Sequence, residues 1–339
     1  MYSAQLPRLN KLTLTDLASV SNIRARDKFF QSIAGGDIKR NITNLDISNI
    51  SFRSIDFKAF MKSGLCNSVN EVYVKHATIN KLYLPQQPCS SLKVIDISDS
   101  HVSIVLSNRQ SCGNICINVE ELYMNGLGKY RVTPPLQDEL DRDLTSCPYK
   151  IKKVSLENNL IKRLSFSVKL HNYTKKTVEW ISLSENILEF LSTQFLSPLM
   201  NLQYLDISRN QLHKMQEHYE ETLIKENTKM KVLKLNNNGF ARIHFNMCLT
   251  NSDLLVLDLS HNNLSSLDFK IGHLTNLKVL NLSYNAIHSI DVQTMETMGQ
   301  LASATNALLI DLSNMLCSCS CDDDNKETIQ WIHAHLDTG

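Results

Sequence analysis

The chain has 339 residues, a formal net charge of +1 and a hydrophobic fraction of 42%. The near-neutral charge argues for no particular class of partner, and no apolar run reaches the roughly 18 residues that a membrane-spanning helix needs. Length alone would suggest about two domains.

The first half of the chain carries a weak repeat of the form Leu-x-x-Leu-x-Leu. Its turns start near residues 9, 42, 69, 92 and 119, so the sequence begins inside a repeat. No apolar segment typical of a secretory signal opens the chain, and no cysteine cap precedes the first turn. We therefore expect a piece of a longer protein, cut at both ends. The regular turns of the second half hold an asparagine at the end of the strand, which we call the ladder position. In the weak turns this position is occupied by Leu17, Ile50, Ala77, Ser100 and Leu127.

A long return separates the weak repeats from the regular ones. Residues 128–148 contain the pair Pro134-Pro135 and four acidic residues between positions 138 and 143. We interpret this stretch as an enlarged surface loop. Inserted loops are frequent binding sites, and tolerated variation in loop length is an equal alternative.

Six regular turns follow, and they extend the pattern to Leu-x-x-Leu-x-Leu-x-x-Asn-x-Leu. They start at residues 151, 178, 202, 230, 254 and 277. A buried asparagine at the end of each strand can bond backbone groups of its own turn and of the next turn. The sequence predicts an asparagine ladder formed by Asn159, Asn186, Asn210, Asn238, Asn262 and Asn285.

A repeat of this period predicts the architecture of the whole chain, because one turn cannot bury its own apolar edge and must stack on its neighbours. The predicted fold class is an α/β leucine-rich-repeat solenoid, a horseshoe of roughly twelve turns with a parallel concave β-sheet and irregular convex returns. Residues 1–316 would form the solenoid, irregular over 1–148 and regular over 149–316. Residues 317–339 would begin a C-terminal cysteine cap.

Cysteine spacing in the first half indicates disulfides. Three cysteines lie three residues before a repeat start and Cys147 lies four before one, so neighbouring turns bring them within bonding reach. The expected pairs are Cys66–Cys89 and Cys116–Cys147, with Cys112 as a competitor for Cys116. Buried thiols in a core slot are the alternative. Cys248 and Cys317 occupy core-like positions and are expected to be structural.

The C-terminal segment contains Cys319 and Cys321, followed by an amphipathic stretch with Trp331. Two cysteines separated by one residue do not easily pair with each other, so partners further along the chain are expected. A zinc site is the competing interpretation, although one such pair is a weak metal signal.

Glycosylation sequons stand at Asn41, Asn49, Asn172 and Asn263, and a fifth, at Asn281, falls on a predicted strand. Together with the cysteines they indicate an oxidising, extracellular route.

The string LDLSHNNLSSL, the irregular repeats and the ending IDLSNMLCSCSCD with a following tryptophan resemble the ectodomain of Toll-like receptors over residues 9–339. Met315 and Cys317 depart from the family pattern. The resemblance implies a glycoprotein receptor of innate immunity, the extracellular part of a single-pass membrane protein at the plasma membrane or endosome. It implies a microbial ligand, with a lipid favoured, and a homo- or heterodimer with another receptor chain that signals through a cytoplasmic domain absent from this sequence.

A lipid pocket is a further expectation from the resemblance. Some family members that recognise lipids have a stretch without the ladder before a regular stretch. This chain has the same order, with the change between Leu127 and Asn159.

Candidate contact residues lie at outward strand positions. Trp180 and Tyr204 are equivalent residues of adjacent turns and could stack, either as a binding surface or as a packing pair. Lys153 and Arg209 are added as ligand-binding candidates. Lys153 belongs to a basic stretch over residues 149–176, for which an ordinary solvated surface is the alternative.

A column of outward aspartates could bind calcium or serve acid–base chemistry, or could simply be solubilising; its members are Asp46, Asp96, Asp206, Asp258 and Asp311.

The sequence offers no nucleophile motif, phosphate-binding glycine loop or metal-ligand cluster, so neither enzymatic activity nor a cofactor is expected. Three functions compete. The first is a Toll-like pattern-recognition receptor that dimerises on its ligand. The second is an extracellular leucine-rich-repeat adhesion or matrix protein without a signalling domain. The third, a cytosolic inhibitor or an enzyme, fits the cysteines and sequons poorly.

Overall fold

The structure is a computed structural model, and it describes residues 11–13, 42–49, 51–52, 55–56, 67–83, 90–105, 118–127, 150–164, 172–215, 223–244, 246–305, 308–315 and 330. These residues fall into two compact units. The first unit comprises residues 1–159 and 167–178, and the second comprises residues 160–166 and 179–339.

The first unit is built on a parallel sheet with one short strand from each turn. In sheet order its strands are β1 (Lys11–Thr13), β2 (Asn44–Asp46), β5 (Glu71–Tyr73), β7 (Val94–Asp96), β9 (Glu121–Tyr123) and β10 (Lys153–Ser155). A second parallel sheet on the returns contains β3 (Ser51–Phe52), β4 (Ile55–Asp56), β6 (Thr78–Tyr83) and β8 (His101–Val105). Helix α1 (Asn172–Thr177) also belongs to this unit.

The second unit repeats the arrangement with β12 (Trp180–Ser182), β14 (Tyr204–Asp206), β15 (Val232–Lys234), β16 (Val256–Asp258), β17 (Val279–Asn281) and β18 (Leu309–Asp311) in parallel order. Its returns carry the paired strands β11 (Arg163–Leu164) and β13 (Phe190–Leu191), helix α2 (Thr193–Leu196), a 3-10 helix (Leu212–Lys214) and helix α3 (Val292–Thr305). No helix among the described residues is long and apolar enough to cross a membrane.

Both units bury the middle residue of most of the short strands, although it is only half-buried in β9 and β10. In β14 the core residue Leu205 is fully buried between the two outward residues Tyr204 and Asp206, as the two-residue period of a strand requires. The equivalent Leu45 of β2 is 1% exposed. Each unit is therefore a solenoid of stacked turns, and the predicted solenoid with a parallel β-sheet is confirmed.

Each described strand end turns through the same backbone conformation. The residue just before the ladder position adopts a left-handed φ between 51° and 66° in the described turns, from Asn49 to Asn314. This conformation is costly for most residues. At Gly126 an added Cβ would collide with the carboxylate of Asp99, so a side chain there would have to displace that carboxylate.

The asparagine side chains close the turns of the second unit from inside. Asn210 is typical: its Oδ1 accepts the N–H of Leu188 at 2.8 Å, and its Nδ2 donates to the carbonyls of Leu183 at 2.9 Å and Ile207 at 3.1 Å. One amide thus satisfies backbone groups of two consecutive turns. The same two-sided bonding to backbone recurs at Asn186, Asn238, Asn262 and Asn285 and, in the first unit, at Asn159.

The first unit maintains one rung of the ladder with a different residue. Ser100 is fully buried, and its hydroxyl accepts the N–H of Ala77 at 3.0 Å while donating to the carbonyl of Val74 at 2.6 Å. A hydroxyl can donate and accept at once, so Ser100 performs the two-sided bonding of a ladder asparagine. At this rung a serine therefore stands in for the asparagine that the first half lacks.

A second polar row, absent from our sequence-based interpretation, lies on the returns of the second unit. Asn227 and Asn251 are fully buried. Asn227 donates to the carbonyls of Leu196 and Leu199, and Asn251 donates to the carbonyl of Asn227 at 2.9 Å. These hydrogen bonds link the returns of consecutive turns, as the asparagine ladder links the ends of their strands.

Helix α3 fills the longest described return of the second unit. Met295, Met298 and Leu301 lie three residues apart and are 1–4% exposed, so one face of the helix is buried. Asp291 accepts the N–H of Thr294 at 2.9 Å and so caps the first turn of the helix.

Candidate ligand-binding surfaces

The second unit presents an apolar column on the outward face of its sheet. The strand register aligns the first residue of each strand, and Trp180 stacks on Tyr204 with ring centroids 4.8 Å apart and ring planes 14° from parallel. Aliphatic residues continue the line, and the last of them, Leu309, is 61% exposed. The apolar column consists of Trp180, Tyr204, Val232, Val256, Val279 and Leu309.

A polar column runs beside it, two residues further along each strand. Asp206 is 8% exposed, and its Oδ1 accepts both the N–H and the hydroxyl of Ser208. The same aspartate–serine turn occurs at Asp46, Asp96, Asp258 and Asp311, and Asn281 takes the aspartate's place in β17. Most of these aspartates therefore have a structural role in ending the strand. Asp206 lies on the outward side of its strand, and this bonding holds its side chain against the turn.

Lys234 interrupts the polar column and joins it to the aromatic pair. Its Nζ lies 3.6 Å from Oδ2 of Asp206 and 5.6 Å from the ring centroid of Tyr204. Burial disfavours the charged lysine, but the hydrogen bond to Tyr204 and the charge of Asp206 outweigh it, so the pKa of Lys234 is raised. The lysine stays cationic beside the aromatic pair.

Arg209 lies in the turn and not on a strand. It occupies a left-handed turn position with φ 53°, and its guanidinium is paired with Glu185 at 2.5 Å. Two turns further along the chain, His261 and Tyr284 stack at 4.2 Å, and Tyr284 is 51% exposed. Tyr284 lies in the turn after β17 and not on a strand of the sheet.

The first unit presents a different surface, a cleft of about 590 Å³ on the outward face of its sheet. We call it the acidic cleft. Its lining includes four carboxylates and one lysine, which together give a net charge of −3 with histidine neutral. The lining residues are Glu71, Tyr73, Lys75, His76, Val94, Asp96, Ser98, Asp99, Glu121, Tyr123 and Asn125.

Tyrosine hydroxyls orient the carboxylates of the acidic cleft. Tyr73 donates to Glu71 at 2.9 Å, and Tyr123 donates to Glu121 at 2.6 Å. Burial, followed by the hydrogen bond to Glu71, raises the pKa of Tyr73 to about 12. Burial and the bond to Glu121 likewise raise the pKa of Tyr123. Both phenols therefore remain protonated donors.

The lysines of the basic stretch have different partners. Lys153 lies in the first unit, with its Nζ 5.2 Å from the ring centroid of Tyr123. Lys152 pairs with Glu120 at 2.9 Å, and Lys162 pairs with Glu189 at 3.1 Å. The binding candidates thus divide between two surfaces: Trp180 and Tyr204 stack in the second unit, and Lys153 contacts an aromatic ring of the first.

Several predicted sites lie outside the described residues. These are the cysteines at 66, 89, 112, 116, 147, 317, 319 and 321, the sequon at Asn41 and the loop 128–148, which covers most of the predicted lipid pocket. Cys248 is described: it is a buried free thiol whose pKa burial raises to about 12.

The described sequons differ in accessibility. Asn49 and Asn263 are exposed, whereas Asn281 lies on β17 and accepts two hydrogen bonds from Ser283. Asn172 begins helix α1. Within the described ranges, no group of three or more histidine, cysteine, aspartate or glutamate side chains is arranged to hold a metal ion.

Comparisons with known proteins agree with the repeat geometry. A family model described as Leucine Rich repeats (2 copies) matches residues 252–293. No curated protein sequence matches the chain. The chain is a leucine-rich-repeat protein.

Two solved structures illustrate the likeness of fold. An internalin from Listeria monocytogenes str. 4b F2365 superposes with a TM-score of 0.51 at 15% identity, covering 95% of this chain and 85% of the internalin chain. The Drosophila Toll–Spatzle complex, a hub in development and innate immunity, superposes with a TM-score of 0.56 at 18% identity. That match covers 89% of this chain but only 40% of the other chain. At these identities the likeness shows the fold alone.

Proposed function

We propose that this chain is the ligand-binding part of a Toll-like receptor ectodomain, which binds a microbial ligand and dimerises with the same or another receptor chain. The observation that carries the proposal is the apolar column of the second unit. The repeat resemblance and the Cys-x-Cys ending of the sequence support it.

The apolar column is not needed for the core. The inward residues beside it, such as Leu205, Leu233 and Leu257, are at most 1% exposed and already fill the interior. Isolated exposed apolar residues are common on protein surfaces, but a contiguous apolar line is typical of a contact surface. Six rungs at about 4.8 Å spacing give a line on the order of 24 Å long.

Trp180 and Tyr204 are the expected centre of this contact. Large aromatic side chains at the middle of an interface often carry most of its binding energy. The stacked pair also loses little side-chain freedom on binding, because each ring already holds the other in place. The aliphatic rungs from Val232 to Leu309 extend the contact along the sheet.

The test is a chimera that joins this chain to a Toll-type signalling domain, screened against bacterial lipids, flagellin and nucleic acids. We expect Trp180→Ala with Tyr204→Ala to reduce the response to the activating ligand by about tenfold or more. A matched control is Lys231→Ala with Lys278→Ala, because both lysines are exposed on the same unit. Equal responses from the aromatic and control variants, at equal surface expression, would place the site elsewhere.

Adhesion is the competing outcome of the same experiment. If no microbial ligand activates the chimera while the chain binds cells or matrix, the chain is an adhesion or matrix protein without signalling function. Extracellular localisation is part of the proposal in both cases. Exposed Asn263 should carry a glycan on material secreted from animal cells, and glycopeptide mapping that finds it bare would contradict this.

A further inference from the structure

The acidic cleft of the first unit is formed by three adjacent strands with a repeated sequence. The outer two strands read Glu-Val-Tyr (β5) and Glu-Leu-Tyr (β9), and the strand between them reads Val-Ile-Asp (β7). The register aligns Val94 between Glu71 and Glu121, and Asp96 between Tyr73 and Tyr123. Short residues thus form the floor and long residues the two walls, about 10 Å apart at two strand spacings.

The negative charge of the cleft is only partly compensated. Lys153 stands beside Glu121 in the strand register, with its Nζ 5.2 Å from the ring centroid of Tyr123. The described hydrogen bonds of Glu71 and Glu121 come from tyrosine hydroxyls and from the Asn44 amide. Asp96 on the floor is 6% exposed and pairs with Lys75 at 2.7 Å. The same ammonium lies 5.5 Å from the ring centroid of Tyr73.

Lys75 shows which chemical group fits the cleft. Its ammonium rests on a carboxylate and beside an aromatic ring, which is the environment that a bound lysine or arginine side chain prefers. The side chain of Lys75 is itself 42% exposed, so it is not locked in place by packing.

We propose that the acidic cleft binds a lysine or arginine side chain presented by a protein partner, and that Lys75 occupies the cation position in the free chain. The walls hold carboxylates on both sides, so an incoming cation meets Glu71 or Glu121 even while Lys75 remains on Asp96. An anionic ligand such as a phosphate is repelled by the same charges.

A side chain of a protein partner fits the acidic cleft better than a metal ion does. Three of the four carboxylates stand on three different strands and the fourth, Asp99, lies in a turn. Among the described residues, no group of three or more histidine, cysteine, aspartate or glutamate side chains is arranged to hold a metal ion. A volume of about 590 Å³, open on a sheet face, admits a whole side chain with part of its backbone. The inference stands independently of the apolar column and of the receptor proposal, because it concerns other residues in the other unit.

The test measures binding of fluorescein-labelled peptides to the full chain by fluorescence anisotropy. The probes are (Gly-Arg)4, (Gly-Lys)4, (Gly-Gln)4 and (Gly-Glu)4, with unlabelled spermine as a competitor. We expect binding of the two cationic peptides only. Glu71→Gln with Glu121→Gln should weaken it about tenfold or more, because each neutralised carboxylate loses a charge-assisted contact. Glutamine still accepts the tyrosine bond, so the fold is retained.

Two further variants make the result specific. Glu226→Gln with Asp253→Asn changes the net charge by the same amount at exposed positions of the second unit, and should leave the affinity within about twofold. Lys75→Met removes the internal cation and should strengthen binding severalfold. The proposal is overturned if the two double variants weaken binding equally, if Lys75→Met weakens it, or if spermine at equal charge displaces the peptides completely.

Discussion

The two units have the same kind of interior, and they differ at their strand ends and on their outward faces. Leu45 in the first unit and Leu257 in the second occupy the same inward position, and both are at most 1% exposed. The first strand position, by contrast, holds Glu71 and Glu121 in the first unit and an unbroken apolar line in the second. The comparison shows that the inward side specifies the solenoid, while the outward side is free to specialise without disturbing it.

The strongest test of that separation compares the two sides of one strand. Leu257→Ala and Leu45→Ala should each cost about 3 kcal/mol of unfolding free energy, because each leaves a cavity in the core of its own unit. Outward Val256→Thr should cost less than about 1 kcal/mol. Urea unfolding followed by circular dichroism measures all three. A large loss for Val256→Thr would mean that the apolar column stabilises the fold, and would weaken its interpretation as a binding surface.

The asparagine ladder gives a test in which the expected loss of unfolding free energy is of intermediate size. Asn210→Ala should cost roughly 2–3 kcal/mol, because it leaves several buried backbone groups unpaired, and Ser100→Ala should cost about 1 kcal/mol. The control for the ladder register is Asn237, which immediately precedes the ladder residue Asn238. Alanine is unsuitable there because Asn237 has a left-handed backbone with φ 55°, which is costly for alanine. Asn237→Gly keeps the turn and should stay within about 0.5 kcal/mol of the wild type. Equal losses at positions 210 and 237 would contradict the ladder register.

The smallest expected effect concerns acid stability, where the two units are alike. Glu120 accepts hydrogen bonds from Lys93 at 2.7 Å and Lys152 at 2.9 Å, which lower its pKa from 4.5 to about 2. A lowered carboxyl pKa stabilises the folded state above about pH 4.5, and that contribution is lost as the pH falls toward 2. Because Glu120 is 30% exposed, we expect less than about 1 kcal/mol.

Glu120→Gln should therefore flatten the loss of stability between pH 4.5 and 2. In the second unit, Glu189 is held between Lys214 and Lys162, which also lower its pKa, so Glu189→Gln should act in the same direction. Urea midpoints measured across this pH range provide the comparison. An unchanged acid slope for both variants would show that these lysine pairs do not form in solution.

The repeat period alone determined the architecture and the ladder register of this protein. Leucines and asparagines recur at fixed offsets, and a stack of turns is the arrangement that buries all of them. The pairing of Trp180 with Tyr204 was predictable for the same reason, since equivalent positions of adjacent turns become neighbours. The sequence pattern did not reveal that Ser100 replaces an asparagine, because a lone serine carries no recognisable signal.

Only the tertiary structure decided which outward residues act together. The acidic cleft depends on three strands whose equivalent residues lie 23 and 27 positions apart, in an exact lateral register. Because the returns vary in length, side-chain bonds across turns cannot be read from spacing within one turn. The same holds for the aspartate–serine turns and the second asparagine row: the residues were visible in the sequence, but their hydrogen-bond partners are brought to them only by folding.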